Sequence, residues 1–359
     1  YLRYYELYIR EGKVLRDNLP SIDNILVIKL RDIGDNILCT PLIHNLKQAL
    51  PNASVSVLTW SYSKPVFEKN PNIHQLFDIT KEPSSTEVRM MTNQLNSVEF
   101  DLVISTHSGR LPSDILSKIK TKHRINNHYR GRNKFYDILT DESSHFRSAI
   151  ERDLDCMRSL GLEPNDTKTE IFLTPEETEW AKNKLRGMGF DLLKKIALVH
   201  PTAGGTVKEW PIERFGELLI KLNNKDHIQP LVLCTDKEYI RVQHLFKYAP
   251  DLIILHQLTL RQMIAIINEC DLVIDNDSSP SHVATAFDIP TIVLFGQGIR
   301  EMFRPYHPEN DLHYVFYKDV DCRDCALVRC DNRICLEFSP NEVFEKALEM
   351  ISDTPKYST

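Results

Sequence analysis

Long apolar stretches are missing from this sequence of 359 residues. A membrane-spanning helix needs about 18 to 20 apolar residues, and no run approaches that length. The chain also does not start with the order of charged, apolar and small residues that is typical of a signal peptide. An excess of positive charge is also missing, because 50 Asp and Glu outnumber 44 Lys and Arg. These absences argue against a membrane-spanning helix and a nucleic-acid partner and predict a soluble, cytoplasmic protein.

The glycine-rich fingerprint of dinucleotide-binding enzymes is absent as well. The first apolar strand, over residues 24–30, leads into Arg31-Asp-Ile-Gly-Asp35, where a dehydrogenase would carry Gly-x-Gly-x-x-Gly. A nicotinamide-dependent oxidoreductase is therefore a weak interpretation of the chain.

What the chain does contain is an alternation of short apolar strands and helical segments. This alternation predicts parallel sheets with helices on both faces, and the length suits two domains. The pattern is interrupted at residues 165–174, so we predict domains over 1–170 and 171–359 whose ligand-binding strand ends face one cleft. After the first strand we predict strands at Ser54–Leu58, Leu102–Ser105, Ile196–His200, Leu231–Cys234, Leu252–Ile254, Leu272–Ile274 and Thr291–Phe295, and helices at Glu177–Met188 and Pro211–Leu222.

The most informative segment spans residues 271–296. An apolar strand ends in Asp277-Ser278-Ser279, a helix carrying His282 follows, and a second apolar strand closes the unit. We expect Ser278 and Ser279 to cap the helix, whose N–H groups and positive dipole end would bind a phosphate or diphosphate. The segment therefore indicates a nucleotide-linked ligand.

A glycine-containing loop follows another strand of the same domain, in His200-Pro-Thr-Ala-Gly-Gly-Thr-Val-Lys-Glu-Trp-Pro211. Gly204 and Gly205 would let the backbone approach a ligand, and Lys208 supplies a charge suited to a diphosphate. We place Pro211 in the first turn of the next helix. A loop of this kind is common on its own, but beside the Asp277 segment it predicts a two-sided phosphate site.

A carboxylate follows the opening strand of the chain. Gly34 permits a tight turn, and Asp35 then lies near a helix N-terminus, where it could remove a proton from a hydroxyl. The alternative is that Asp35 only caps the helix, since Asp is a favoured N-cap residue. Both interpretations stay open.

These segments, in this order, resemble glycosyltransferase family 9, the heptosyltransferases that build the inner core of lipopolysaccharide. The resemblance covers residues 24–351. Ser279, where many members have Gly, and Phe303-Arg-Pro305 resemble the subgroup that adds the third heptose. The matching residues are Gly34-Asp35 with Thr40-Pro41, then His200-Pro201, Lys208, Trp210-Pro211 and Arg214-Phe215, and finally Asp277, Ser278, Ser279 and His282.

The resemblance implies a GT-B fold, in which two Rossmann-like lobes bind the acceptor and the donor. It also implies transfer of L-glycero-D-manno-heptose from ADP to a hydroxyl, with inversion and without a catalytic metal. Asp35 would be the base, and Lys208 would stabilise the departing diphosphate. The implied donor-binding residues are Thr202, Gly204, Gly205, Glu238, Asp277, Ser278, Ser279 and His282.

Residues 118–134 carry many basic side chains and no acid. In the family this domain binds the acceptor, so Arg130, Arg132 and Lys134 would bind anionic groups of the lipopolysaccharide core; a solvated loop is the alternative. Another glycan or a protein side chain stays open as the acceptor. The aromatic residues 1–10 could contact the inner face of the inner membrane, the protein itself or another subunit of a homo-oligomer.

Four of the eight cysteines form a C-x2-C-x4-C-x4-C cluster, namely Cys322, Cys325, Cys330 and Cys335. Without a secretion signal, such closely spaced thiolates fit a structural zinc or iron ion better than disulfides. Similar clusters, some with iron, occur in other heptosyltransferase-like proteins. The metal would fix the loop after the last strand; four reduced thiols or two disulfides are the alternatives.

Two other functions stay open. A serine-rich turn at a helix start serves any diphosphate, so the ligand could be a UDP-sugar and the enzyme another sugar transferase or a nucleotide-sugar epimerase. A non-catalytic binding module is the second, although the presence of both Asp35 and Lys208 argues against it.

Overall fold

The computed structural model describes residues 22–107, 109–126, 138–140, 147–305, 312–322, 325 and 327–352. The chain divides into two compact units between Phe172 and Leu173, inside the segment where the sequence pattern breaks. Each unit contains one six-stranded sheet in which neighbouring strands run parallel.

The first unit has two largely buried strands, β1 and β4, in the middle of its sheet, in the order β3-β2-β1-β4-β5-β6. A 3₁₀ turn covers Lys64–Val66. The strands are β1 (Asn24–Lys29), β2 (Ser54–Trp60), β3 (Gln75–Ile79), β4 (Phe100–Ser105), β5 (Thr121–Asn126) and β6 (Ile138–Leu139). The helices are α1 (Ile33–Ile37), α2 (Thr40–Ala49), α3 (Ser85–Leu95), α4 (Arg110–Lys118) and α5 (Ala149–Arg158).

The second unit repeats this arrangement, in the order β12-β11-β10-β7-β8-β9. Three 3₁₀ turns cover Thr206–Lys208, Gln243–Lys247 and Ile334–Leu336. The strands are β7 (Lys195–His200), β8 (Ile228–Leu233), β9 (Ile253–Leu255), β10 (Leu272–Asn276), β11 (Thr291–Phe295) and β12 (His313–Tyr317). The helices are α6 (Pro175–Gly187), α7 (Ile212–Asn223), α8 (Asp236–Val242), α9 (Leu260–Asn268), α10 (Ser279–Ala286), α11 (Arg300–Phe303) and α12 (Pro340–Ser352).

Both sheets have the doubly wound order. Numbered along the chain within each unit, the strands stand in the order 3-2-1-4-5-6. The order reverses between β1 and β4 in the first unit and between β7 and β10 in the second. Ligands of such sheets bind at the carboxyl ends of the strands beside this reversal. The fold therefore directs attention to the residues that follow these four strands.

The buried strands agree with the sequence prediction, whereas several edge strands were missed. β11 has the predicted bounds, and the other predicted strands are found within a few residues. At the start of α6, Thr174 forms a capping box with Glu177. The sequence predicted no strand at β3, β5, β6 or β12. β3, at one edge, and β5, next to the other edge, include exposed and polar positions, and strands at or near an edge need not be apolar on both faces.

Two local expectations were wrong. Gly34 lies inside α1, not in a turn before it. Pro211 is the N-cap residue of α7 in place of its first helical residue, with an extended ψ of 133°. Among the described helices, none has the length and apolar composition needed to cross a membrane.

A buried ion pair joins β1 to α5 in the first unit. Lys29 Nζ lies 2.6 Å from Asp153 Oδ2, and each side chain is only 4% exposed. Burial lowers the pKa of Lys29, but the carboxylates of Asp153 and Asp35 outweigh burial and raise this pKa above its usual value. The carboxyl end of β1 is thereby fixed to a helix that lies far away in sequence.

We expect Asp153→Leu to destabilise the protein by about 3–5 kcal/mol, because it leaves the Lys29 charge buried without its partner. The double variant Lys29→Met with Asp153→Leu should lose much less, since neither charge then remains. Urea unfolding of the wild type, both single variants and the double variant measures this difference. A double variant that is as unstable as the sum of the single variants would contradict it.

Candidate functional site

The candidate site of the second unit is organised by Asp275, the fourth residue of β10. This residue pairs in register with His200 at the end of β7, and it is 0% exposed. One carboxylate oxygen, Oδ1, accepts a hydrogen bond from Ser278 Oγ at 2.7 Å and lies 2.9 Å from His200 Nδ1. The other, Oδ2, accepts the backbone N–H of Ser281 at 2.9 Å. One buried carboxylate therefore joins two strands and the start of α10.

The start of α10 differs from the expectation that serine hydroxyls cap it. Ser278 is the N-cap residue and Ser279 the first helical residue, but within the described chain the Ser278 side chain caps no helix N–H. Its hydroxyl donates to Asp275 instead, and Asp275 accepts the helix N–H of Ser281. The prediction that serine hydroxyls cap the helix was therefore wrong. The Asp275 carboxylate is the acceptor instead, because a buried carboxylate is a stronger acceptor than a hydroxyl. His282 lies buried in this helix.

Lys208 lies in the 3₁₀ turn after β7 and contacts the segment after β10. Its Nζ is 2.6 Å from Asp277 Oδ2, with the lysine side chain 32% exposed and the aspartate 6%. A Cβ at Gly298, whose φ is +136°, would stand 3.4 Å from the same Asp277 oxygen. Asp277 is thus enclosed, and its carboxylate determines where the more exposed Lys208 ammonium lies.

The two glycines before Lys208 border open space. Among the described residues, a Cβ on Gly204 would meet no atom within 4 Å, and a Cβ on Gly205 would meet only Val207 Cγ1, at 4.0 Å. Packing inside the protein therefore does not require glycine here. A backbone without side chains at this edge of the sheet leaves room for the close approach of a ligand.

Thr202 and Glu238 extend the same group of side chains. Thr202 Oγ1 is 3.1 Å from His200 Nε2. Glu238 caps α8 by accepting from the N–H and the hydroxyl of Thr235 at 2.8 and 2.6 Å. Burial raises the pKa of Glu238, but the hydrogen bonds from Thr235, the His200 charge and the Thr202 hydroxyl together lower it below its usual value. The predicted donor-binding residues of this edge thus interact with one another.

In the first unit, Asp35 follows β1 and lies in the first turn of α1. The N-cap residue is Asp32, so the interpretation of Asp35 as the cap was wrong. Its side chain is 18% exposed, and Oδ1 lies 3.5 Å from Arg31 Nε. A carboxylate that is accessible and not used as a cap is suited to accept a proton.

The sequence analysis missed a histidine at the end of the strand next to β1. His107 follows β4, the neighbour of β1. Burial, with the nearby charges of Lys29 and Arg31, lowers its pKa to about 3, so this imidazole is neutral at physiological pH. The carboxyl edge of the first sheet therefore combines cations, a carboxylate and a neutral imidazole.

The remaining predictions concern the acceptor-binding cations, the N-terminal segment and the cysteine cluster. Arg130, Arg132 and Lys134, and residues 1–10, lie outside the described residues. Cys322 is exposed and Cys325, Cys330 and Cys335 are half-buried, and no disulfide forms within the described part of the chain. Nor do three or more His, Cys, Asp or Glu side chains come close enough there to hold a metal. The described residues therefore do not show the predicted zinc or iron site, which stays a prediction from the sequence.

Several residues of the site were missed because their signals are weak in sequence. Asp275 and Asn276 interrupt an apolar strand, which is the one signal that could have identified them. Asn276 Oδ1 accepts the backbone N–H of Trp210 at 2.9 Å, and Glu209 Oε1 accepts that of Ala203 at 3.1 Å. Both side chains shape the loop that carries Lys208.

Comparisons with known proteins agree with this geometry. The family described as "Glycosyltransferase family 9 (heptosyltransferase)" matches residues 88–325. The chain is 22% identical over 313 residues to lipopolysaccharide heptosyltransferase 3 of Escherichia coli, covering 82% of this chain and 90% of the relative.

Two solved structures share the fold. A family 9 glycosyltransferase from Veillonella parvula superposes with a TM-score of 0.82 at 21% identity, covering 92% of this chain and 98% of that one. The ADP-heptose lipopolysaccharide heptosyltransferase II of E. coli gives 0.77 at 17% identity, covering 92% and 98%. The predicted GT-B fold is thereby confirmed.

His200 makes stability depend on pH. Burial lowers its pKa, but the Asp275 carboxylate outweighs burial and raises it above the usual 6.5. Because the folded-state pKa is raised, this stabilisation is complete below about pH 6.5 and is lost as the pH rises through the folded pKa. We expect the free energy of unfolding to fall less over that range in His200→Gln than in the wild type. Urea unfolding of both proteins at about pH 6, 7 and 8 tests this. An equal change of the unfolding free energy with pH in the two proteins would contradict it.

Proposed function

The chain belongs to glycosyltransferase family 9, and on this premise we propose that it transfers L-glycero-D-manno-heptose from ADP to a hydroxyl of the lipopolysaccharide inner core. The observation that carries the proposal is the edge of the second sheet, where Lys208, two unobstructed glycines and the start of α10 come together. The names of the related proteins, an E. coli lipopolysaccharide heptosyltransferase 3 and an ADP-heptose heptosyltransferase, support the donor and the acceptor class.

On the donor side, we assign Lys208 to the diphosphate. When the bond between the anomeric carbon and the diphosphate oxygen breaks, negative charge builds up on the departing ADP. A cation fixed beside that oxygen stabilises the transition state more than the ground state. Asp277 would orient Lys208 through the 2.6 Å ion pair, and would not itself contact phosphate, since two anions repel.

The remaining donor contacts follow from the same edge of the sheet. Gly204 and Gly205 would lie against the diphosphate, while Thr202, Ser278, Ser279 and His282 would contact phosphate and sugar. Glu238 would lie near the nucleoside, where its lowered pKa keeps it an acceptor for hydroxyl groups.

On the acceptor side, we assign Asp35 as the general base. It would take the proton from the acceptor hydroxyl while the hydroxyl oxygen bonds to the anomeric carbon and ADP leaves from the opposite face. The products are an inverted glycoside, ADP and a protonated Asp35 that returns its proton to water. The accessible carboxylate in the first turn of α1 supports this assignment.

Other parts of the proposal rest on the sequence. Arg130, Arg132 and Lys134 are proposed to bind anionic groups of the acceptor, with a protein acceptor as the alternative. A cytoplasmic location, contact with the inner membrane, a homo-oligomer and a zinc or iron ion at the four cysteines stay predictions.

We expect Lys208→Ala and Asp35→Ala each to lower kcat for heptose transfer by about 10²- to 10³-fold, equivalent to about 2.7–4 kcal/mol of activation free energy. Matched controls are Lys184→Ala, an exposed lysine of α6, and Asp32→Asn, whose carboxylate is bound by Tyr62 and Lys81. Both controls should keep most of the activity. Wild-type rates in either test variant, at an unchanged melting temperature, would remove that residue from the mechanism.

Ligand specificity gives an independent test. We expect ADP and ADP-heptose to stabilise the protein against unfolding by about 2.7 kcal/mol at a hundredfold excess over Kd, and the effect to weaken in Lys208→Ala. UDP, UDP-sugars and NAD should stabilise it far less. Thermal unfolding with each ligand measures this; a preference for UDP would favour a UDP-sugar enzyme, and a preference for NAD an oxidoreductase.

A further inference from the structure

The cysteine segment, residues 322–335, has no role in the proposed reaction, but its last part lies against the Lys208 turn. Arg333 precedes the 3₁₀ turn at Ile334–Leu336 and adopts a left-handed backbone with φ 36°. Its backbone N–H donates to Cys330 Sγ at 3.3 Å. Few residues other than glycine adopt this backbone, so the surrounding structure holds Arg333 in an uncommon conformation.

The guanidinium of Arg333 binds the backbone on both sides of Lys208. Nη1 donates to the carbonyl oxygens of Thr206 at 3.3 Å and of Glu209 at 3.0 Å. The turn between them is closed by its own bonds, from Lys208 N–H to Gly205 O at 2.9 Å and from Glu209 N–H to Thr206 O at 3.2 Å. One side chain of the cysteine segment therefore bridges the two ends of the Lys208 turn.

The segment itself is anchored beyond Arg333. Leu336 is buried in the core of the second unit, and its carbonyl oxygen accepts Arg214 Nη1 at 3.1 Å. On the other side of the turn, Arg241 of α8 binds Glu209 Oε2 at 2.7 Å. The Lys208 turn is thus held by two arginines that come from different, independently anchored elements.

We propose that Arg333 is a positioning residue, through which the cysteine segment holds the Lys208 turn in the geometry that the donor diphosphate requires. The consequence for turnover rests on the proposed function. A cation stabilises a developing charge only when it is fixed before the reaction, so a loosened turn should lower kcat even though Lys208 is still present.

The first experiment needs no ligand. We compare amide hydrogen exchange of residues 203–210 in the wild type, in Arg333→Gly and in Arg329→Gly, a control that removes an exposed arginine of the same segment. Glycine accepts the left-handed backbone, so Arg333→Gly removes the guanidinium without adding strain. We expect exchange in this turn to rise about tenfold in Arg333→Gly only. Equal exchange in the two variants would overturn the proposal.

The second experiment asks whether Arg333 acts through Lys208. In the wild-type background, Arg333→Gly should lower kcat about tenfold. The kcat of Arg333→Lys should lie between those of the wild type and Arg333→Gly, because lysine keeps one donor nitrogen. In the Lys208→Ala background the same change should have less than about a twofold effect, since the group that it positions is gone. A full tenfold loss in both backgrounds would overturn the proposal. Raised exchange in a protein that transfers no heptose would refute the proposed function and leave the positioning role standing.

Discussion

The buried carboxylate of Asp275 is the interaction on which the donor side of this structure depends. A buried charge must be satisfied by hydrogen bonds or partners, and each oxygen of Asp275 has them. Those partners come from the end of β7, from the N-cap residue of α10 and from the helix backbone. Satisfying one carboxylate therefore fixes the position of the next residues along the chain, which include Asp277.

Asp277 carries that constraint to Lys208, the proposed catalytic cation. It is enclosed and ion-paired with Lys208, and it lies beside Gly298, whose φ of +136° favours glycine. A negative charge next to a proposed diphosphate site would by itself repel the diphosphate. Paired with a lysine, however, it is suited to orient the ammonium group. Arg333 then binds backbone carbonyl oxygens on both sides of the same lysine, and Arg241 binds the side chain of the neighbouring Glu209. Lys208 is therefore held through its own side chain and through the backbone of its turn.

The two units use the same strand order to place different chemistry. In each, the polar residues lie at or after the ends of the first and fourth strands, where the winding direction reverses. The first unit places an accessible carboxylate there with a neutral imidazole nearby, and the second places a cation and an open backbone. A glycosyl transfer needs both, a proton acceptor for the hydroxyl and a stabiliser for the leaving group.

The sequence by itself determined the buried parallel strands, the boundary segment and the residue types at the strand ends, because apolar runs and helix caps are local signals. It also determined the family, through Asp35, Lys208 and the Asp277 to His282 motif. Only the tertiary structure decided that Asp275 caps α10 in place of Ser278, that Asp277 binds Lys208 across 69 residues, and that Arg333 reaches the Lys208 turn from farther along the chain. These contacts join segments distant in sequence, and the geometry that selects one carboxylate or one arginine over its neighbours exists only once the strands are paired.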